Sequence, residues 1–156
     1  MGVNSMFKAL LRGAIAGAAG TTALNAVTYL DMAVRARPAS DTPQQAAEKI
    51  AELAGRPVPG HGEERENRLG GLGPLAGIAT GVAIGAAAGL LGPVVRKLPT
   101  VVGAALLGGA AMAASDVPLA KLGLTDPTTW SAVDWASDVV PHFAYGLVTY
   151  LALQRR

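Results

Sequence analysis

The chain has 156 residues, enough for one domain, and only 15% of them are charged, compared with about 25% in an average soluble domain. A net charge of +2 with scattered basic residues excludes a nucleic-acid-binding surface, and the lack of cysteine excludes disulfides, thiol catalysis and cysteine metal sites. Alanine and glycine outnumber aromatic residues, which suits close helix contact in lipid. The composition therefore predicts an all-α, polytopic membrane protein.

The first predicted transmembrane helix covers residues 10–34. Positions 13–30 carry no charged residue, and this run reaches the minimum length of a spanning helix. Gly13 and Gly17 form a GxxxG pair, which favours close packing of a second helix. Pro38 ends the helix because it cannot continue the hydrogen-bond ladder.

A polar segment over residues 35–68 follows the first span. Within it, Thr42 is predicted to cap a short amphipathic helix that runs to Leu53, with Gln45 completing a capping box. The mixed charges of residues 57–68 predict a solvated loop.

The second predicted transmembrane helix, residues 72–95, carries glycine at every fourth position, at Gly77, Gly81, Gly85 and Gly89. These four residues, here called the glycine ladder, share one helix face. In lipid such a face is a flat groove for another helix backbone. Two uses remain open: packing this helix inside one protomer, or driving a homo-oligomer as glycine-zipper segments do.

Residues 100–119 and 139–153 are the third and fourth predicted transmembrane helices. Asp126 and Pro127 have the residue types of an N-cap and a first helical position, so a helix is expected to begin there and lead into the fourth span. Pro141 is expected to kink that helix because proline removes a backbone donor.

Four spans place both chain termini on one side of the membrane. That side carries six basic residues and no acidic residue, whereas the opposite side mixes seven basic residues with acids. Because the six lie directly at the span ends, the positive-inside rule favours cytoplasmic termini. They are Lys8, Arg12, Arg96, Lys97, Arg155 and Arg156.

The same topology brings ionisable residues to one end of the bundle. The end of the first span, the end of the third and the start of the fourth face the same side, and they hold Asp31, Asp116, Asp138 and His142. Asn25 lies about 9 Å deeper, at 1.5 Å per residue along the first helix. These five residues form the predicted polar site.

Two interpretations of the predicted polar site remain open. Ionisable residues inside a membrane are costly and usually face a cavity or a partner, which suggests a proton or cation pathway. Alternatively, the four ionisable residues lie near span ends, where they cap helices and pair with Arg35 or Arg68. Beyond Asp138 and His142, which share a helix face, no close pair of metal ligands is visible, so neither a metal nor a cofactor is predicted.

Three parts of the chain carry a further pattern. They are GAIAG at residues 13–17 with TTA at 21–23, RPASDTP at 37–43, and SD, PH and YG at 137–138, 141–142 and 145–146. This pattern resembles YagU-type bacterial inner-membrane proteins, a family without a settled biochemical activity. The resemblance implies a bacterial cytoplasmic membrane location and a role in acid or envelope stress, and it supplies no catalytic residues.

These observations predict a non-catalytic integral membrane protein, either structural or an accessory subunit of a larger membrane complex, with the lipid bilayer as its surroundings. The alternative is a small oligomeric proton or ion channel or transporter that uses the predicted polar site. A membrane enzyme ranks last because the sequence contains no nucleophile or phosphate-binding motif.

Overall fold

The computed structural model describes residues 2–155, and within this range every regular element is helical. The all-α prediction is therefore confirmed. The α-helices are α1 (Val3–Arg35), α2 (Thr42–Leu53), α3 (Gly62–Leu90), α4 (Gly92–Val95), α5 (Thr100–Lys121) and α6 (Ala132–Gln154). A 3-10 turn, Pro127–Thr129, precedes α6.

Two of these helices, α3 and α5, are long and apolar enough to cross a membrane. Among the helices described, α1 and α6 do not meet the same criterion. The apolar run of α1 is interrupted by Asn25, and α6 contains Asp134, Asp138 and His142. The number of four spans thus stays a prediction.

The four long helices form a ring. α1 packs against α3 on one side and α6 on the other, α5 packs against α6, and a smaller contact between α3 and α5 closes the ring. α2 lies outside the ring against α3. The first helix of the chain therefore contacts both α3 and the last helix.

Glycines bring the backbones of α1 and α3 into direct contact. A Cβ atom on Gly17 would lie 2.5 Å from the carbonyl oxygen of Gly81, and one on Gly85 would collide with Gly17 itself. Gly13 packs in the same way against Gly85 and Gly89. Backbones this close gain dispersion and Cα–H···O contacts along the whole seam.

A second glycine seam joins α5 to α6. A Cβ atom on Gly108 would lie 2.5 Å from the carbonyl oxygen of His142, and Gly146 packs on the backbone of α5. Tyr145, which is buried, reaches across the ring, where its hydroxyl donates a hydrogen bond of 2.6 Å to the carbonyl oxygen of Gly81. Glycine leaves that carbonyl uncovered, so the tyrosine finds the partner that a buried hydroxyl needs.

The N-terminus of α2 differs from the prediction. The helix begins at Thr42, and Asp41 is the N-cap residue, whose backbone carbonyl accepts a hydrogen bond from Gln45. The Thr42 hydroxyl instead accepts a bond of 2.9 Å from Ser40. The predicted capping box of Thr42 and Gln45 was wrong, because Thr42 is already the first helical residue and its hydroxyl is therefore not at the N-cap position.

The predicted loop over residues 57–68 was wrong in its second half, because α3 already begins at Gly62. Glu63 and Glu64 lie in the first turn, where acidic side chains interact favourably with the helix dipole. Arg68 pairs with Glu64 one turn earlier, at 2.6 Å between nitrogen and oxygen. The mixed charges therefore support a helix instead of a solvated loop.

The second predicted span, residues 72–95, is not one helix. α3 ends at Leu90 and α4 covers Gly92–Val95. Pro93 lacks the backbone N–H that would continue the hydrogen-bond pattern of α3, so the chain turns at Leu91 before the short helix.

The start of the last helix is also shifted. Asp126 caps only the 3-10 turn, where its side chain accepts a backbone N–H. α6 begins later, behind a capping box of Ser131 and Asp134. The prediction of a helix running from Pro127 into the last span was therefore wrong, because this second cap satisfies the first donors of α6. α6 then continues without interruption through Pro141.

Candidate functional site

Three residues of the predicted polar site meet between α5 and α6. The close seam aligns the end of α5 with the beginning of α6, so Asp116 comes within hydrogen-bonding reach of Asp138. His142 lies one turn after Asp138 on the same helix face. These three side chains are called the acid–histidine cluster below.

His142 is oriented by Asp138. Its Nδ1 atom lies 3.2 Å from Oδ1 of Asp138 and 2.9 Å from the Asp138 backbone carbonyl oxygen. Because both neighbours are acceptors, a neutral ring carries its proton on Nδ1. The side chains of His142 and Asp138 are 14% and 23% exposed, so the pair is shielded from solvent without being sealed.

The carboxyl groups of the cluster have too few donors. Ser115 Oγ lies 3.2 Å from Oδ1 of Asp116, but Oδ2 of Asp138 is buried and has no hydrogen-bond partner among residues 2–155. Neighbouring carboxylates repel each other, and a proton held on one of them relieves the repulsion and supplies the missing donor. The geometry thus places two carboxyl groups and one imidazole side by side, with one buried carboxyl oxygen that lacks a donor in the described part of the chain.

Asp31 belongs to a different polar group. Its carboxylate lies 2.7 Å from Arg35 and 2.7 Å from Arg37, and Arg35 also donates a hydrogen bond of 2.7 Å to Ser137 of α6. Two guanidinium groups balance the charge of Asp31 and fill its acceptor sites. This is the helix-end pairing with Arg35 that the second interpretation of the sequence described.

Helix geometry explains why the predicted polar site divides in two. Ser137 lines a surface groove with Asp31 and Arg35, on the side of α6 that faces α1, whereas Asp138 approaches α5. Successive residues point about 100° apart around a helix, so adjacent positions meet different neighbours. Asn25 is half-buried on α1 and belongs to neither group.

Most of the glycine ladder packs inside the protomer. Gly81, Gly85 and Gly89 all contact α1. Gly77 differs, since no atom in the described part of the chain lies within 4 Å of its Cβ position. Three of the four ladder positions therefore serve intramolecular packing, and one faces outward.

Two polar contacts at the end of α6 were not predicted. The Tyr150 hydroxyl donates to the carbonyl oxygen of Leu98, and Gln154 Nε2 donates a bond of 3.2 Å to the carbonyl oxygen of Arg96. Both fasten the end of α6 to the turn before α5. The signal in the sequence is the spacing of Tyr150 and Gln154, which are four residues apart on one face of an apolar helix.

Neither metal chemistry nor comparison with known proteins assigns a function. Within residues 2–155 no three His, Cys, Asp or Glu side chains are grouped to hold a metal ion. No protein family, curated protein or solved structure matches the chain.

Proposed function

We propose that the chain is a four-span integral protein of the bacterial cytoplasmic membrane with a non-catalytic role, as a structural component or an accessory subunit of a membrane complex. The observation that carries this proposal is the distribution of apolar side chains. It differs from the distribution in a soluble helical bundle, because many large apolar side chains on several helices are exposed.

Most of the large apolar side chains lie on the outside of the bundle, and glycine and alanine occupy much of its interior beside a few large residues such as Tyr145 and Leu153. Ile15 of α1 is 64% exposed, Leu75 of α3 is 60% exposed and Val101 of α5 is 69% exposed. Ala16 and Ala104 are fully buried instead. A soluble bundle buries its large apolar residues, and an apolar exterior that covers several helices fits a lipid environment.

Packing supports four spans instead of two. α3 and α5 qualify as membrane-crossing by length and composition. α1 runs beside α3 along the glycine seam, and α6 runs beside both α1 and α5. Because the four long helices lie side by side, a bilayer around α3 and α5 also surrounds α1 and α6. The backbone N–H and C=O groups of α1 and α6 are hydrogen-bonded within each helix, as a bilayer requires.

Charge supports an orientation with cytoplasmic termini. The six basic residues named above lie at the end that holds both termini, and all eleven acidic residues belong to the opposite end. A cytoplasmic excess of lysine and arginine is the usual sign of orientation. The resemblance to YagU-type proteins supports the bacterial inner membrane and a link to acid or envelope stress.

The surface hollows support a non-catalytic role. Two surface grooves of about 260 and 330 Å³ are open to solvent, and their volumes are near the lower limit of the ~300–1,000 Å³ typical of small-molecule sites. The acid–histidine cluster lines neither of them.

Membrane extraction and topology reporters test the proposal. The full chain should resist alkaline carbonate and be released only by detergent. A reporter that is active only outside the cytoplasm should be active after Ser40 or Gly123, and inactive at either terminus or after Leu98. Release by carbonate refutes the membrane location, and reporter activity at the termini refutes the orientation.

Native mass spectrometry after mild-detergent extraction tests the accessory role. An accessory subunit should be recovered with a second protein in a fixed ratio. Recovery as an isolated monomer leaves a structural role and contradicts the accessory one.

The acid–histidine cluster favours a second candidate, a small oligomeric proton or ion channel or transporter. Exchangeable protons on intramembrane carboxyl and histidine groups are typical of proton pathways. Asp138 is its central residue, because it contacts His142 and lies within hydrogen-bonding reach of Asp116.

Proton flux into liposomes tests this second candidate. The wild-type protein should dissipate an imposed pH gradient, and Asp138→Asn should abolish the flux because the amide cannot exchange the proton. Glu52→Gln makes the same chemical change on the exposed helix α2 and should conduct like the wild type. Absence of wild-type flux, or equal flux in Asp138→Asn, removes the candidate.

A further inference from the structure

A groove between α1 and α6 opens at the basic end of the bundle. Its volume is about 260 Å³, and its lining residues are Lys8, Leu11, Arg12, Ile15, Ala16 and Ala152. Lys8 and Arg12 lie nearer the N-terminal end of α1 than Ile15, so the groove is basic at its outer part. Deeper in the bundle its walls are apolar.

Arg12 has a donor without an acceptor. Its Nη2 atom is buried and makes no hydrogen bond to the residues that the structure describes. A guanidinium is always charged and carries only donors, and a buried charged donor without an acceptor is unfavourable. An anion from outside the chain would remove this cost.

The basic end has no acidic side chain that could serve as the acceptor. Gly89 of α3 packs on Ala9 of α1, and Gln154 of α6 bonds the carbonyl oxygen of Arg96. The ends of these helices therefore meet around the groove. None of the eleven acidic residues belongs to them, whereas five basic residues with described positions do: Lys8, Arg12, Arg96, Lys97 and Arg155.

We propose that this groove binds an anionic glycerophospholipid, with the phosphate on Arg12 and Lys8 and one acyl chain along Ile15 and Ala152. The inference rests on the proposed membrane location. Arginine pairs with phosphate oxygens through two parallel hydrogen bonds. A zwitterionic lipid would bring an ammonium group to an end without acidic side chains, so a headgroup with net negative charge fits better.

Native mass spectrometry of the delipidated full chain in detergent measures the binding. The probes are phosphatidylglycerol and phosphatidylcholine with identical acyl chains. We expect phosphatidylglycerol to bind more tightly, and Arg12→Gln to weaken its binding roughly tenfold, as the loss of one charged hydrogen bond implies. Lys8→Gln should weaken it by a smaller factor. Lys49→Gln on α2, the same change at the opposite end, should leave both affinities unchanged.

Three results would overturn the inference. They are equal binding of both lipids, unchanged phosphatidylglycerol binding in Arg12→Gln and Lys8→Gln, and displacement of the lipid by inorganic phosphate, which would assign the groove to free phosphate. Lys8 is exposed, so its variant keeps the test decisive if Arg12→Gln does not fold. Carbonate release refutes the membrane location itself, whereas a membrane-bound protein without lipid preference refutes only this inference.

Discussion

At the residue scale, Gly85 and Gly77 differ although both belong to the glycine ladder of α3. A Cβ atom on Gly85 would collide with the backbone of Gly17 on α1, whereas the same atom on Gly77 meets nothing within 4 Å among the described residues. Backbone atoms cannot swing aside as a flexible side chain can. The two glycines are therefore a matched pair for measuring what the α1–α3 seam contributes.

We expect Gly85→Ala to lower the free energy of unfolding by about 1–3 kcal/mol, because the added methyl group pushes α1 away from α3. Gly77→Ala should be neutral or raise stability by up to about 1 kcal/mol, the difference in helix propensity. Thermal unfolding in one detergent compares the two. If the Gly85→Ala protein is as stable as the wild type, close packing of α1 on α3 at Gly85 does not contribute to stability.

The capping box at the start of α6 sets the titration of Asp134. Its carboxylate accepts 2.7 Å and 2.9 Å hydrogen bonds from the hydroxyl and backbone N–H of Ser131, which hold the pKa of Asp134 below its ordinary value. Because the folded pKa lies below the unfolded pKa, the cap stabilises α6 fully above the ordinary aspartate pKa. That stabilisation is lost as the pH falls through the folded pKa.

Ser131→Ala should raise the pKa of Asp134 toward its ordinary value, because the hydroxyl makes the largest contribution to lowering it. Carboxyl NMR titration of the full chain in micelles measures the change. Asp126, whose pKa is lowered by Thr128 in the neighbouring turn, is the internal control and should not move. Unchanged titration of Asp134 would show that the capping box is not the cause.

At the scale of helices, α2 is held on α3 by a glycine and an ion pair. A Cβ atom on Gly73 would lie 2.8 Å from the carbonyl carbon of Pro43, and Arg65 of α3 pairs with Glu48 of α2. Gly70, three residues before Gly73, has no described atom within 4 Å of its Cβ position. The docking of α2 thus combines one close backbone approach at Gly73 with one ion pair.

Gly73→Val should undock α2, because the branched side chain occupies the space of the Pro43 backbone. We expect amide hydrogen exchange in residues 42–53 to speed up roughly tenfold or more, as for a helix that opens locally. Gly70→Val carries the same side chain toward open space and should leave exchange in α2 unchanged. Equal exchange in the two variants would contradict the docking contact.

Features that depend on local spacing could be predicted from the sequence. The helical class, the apolar runs and the glycine ladder all follow from residues a few positions apart. Helix starts were less predictable, because Asp41 and Thr42 are adjacent polar residues and both are residue types that commonly serve as N-caps. Neighbour relations were predictable only in part. The topology brings Asp116, Asp138 and His142 together as expected, but Asp31 joins a different group because α6 presents its adjacent positions to different helices.

At the scale of the whole molecule, the packing of the glycine ladder inside one protomer limits how the ladder can contribute to an oligomer. Gly81, Gly85 and Gly89 already contact α1, so an oligomer built on the ladder has only Gly77 left to use. We expect Gly77→Leu to have the same subunit number as the wild type by native mass spectrometry in mild detergent. A loss of subunits in this variant would identify the outward end of the ladder as an assembly surface.

The position of α1 between α3 and α6 has a consequence for biosynthesis. Gly20 of α1 packs against Thr149 and Tyr145 of α6, although these partners are translated more than a hundred residues later. Until α6 has been translated, one face of α1 lacks its neighbour, and the ring of helices cannot close. Contacts between the first and last helices thus couple the completion of the ring to the completion of translation, so a nascent chain arrested before α6 lacks one of the two helices that pack on α1.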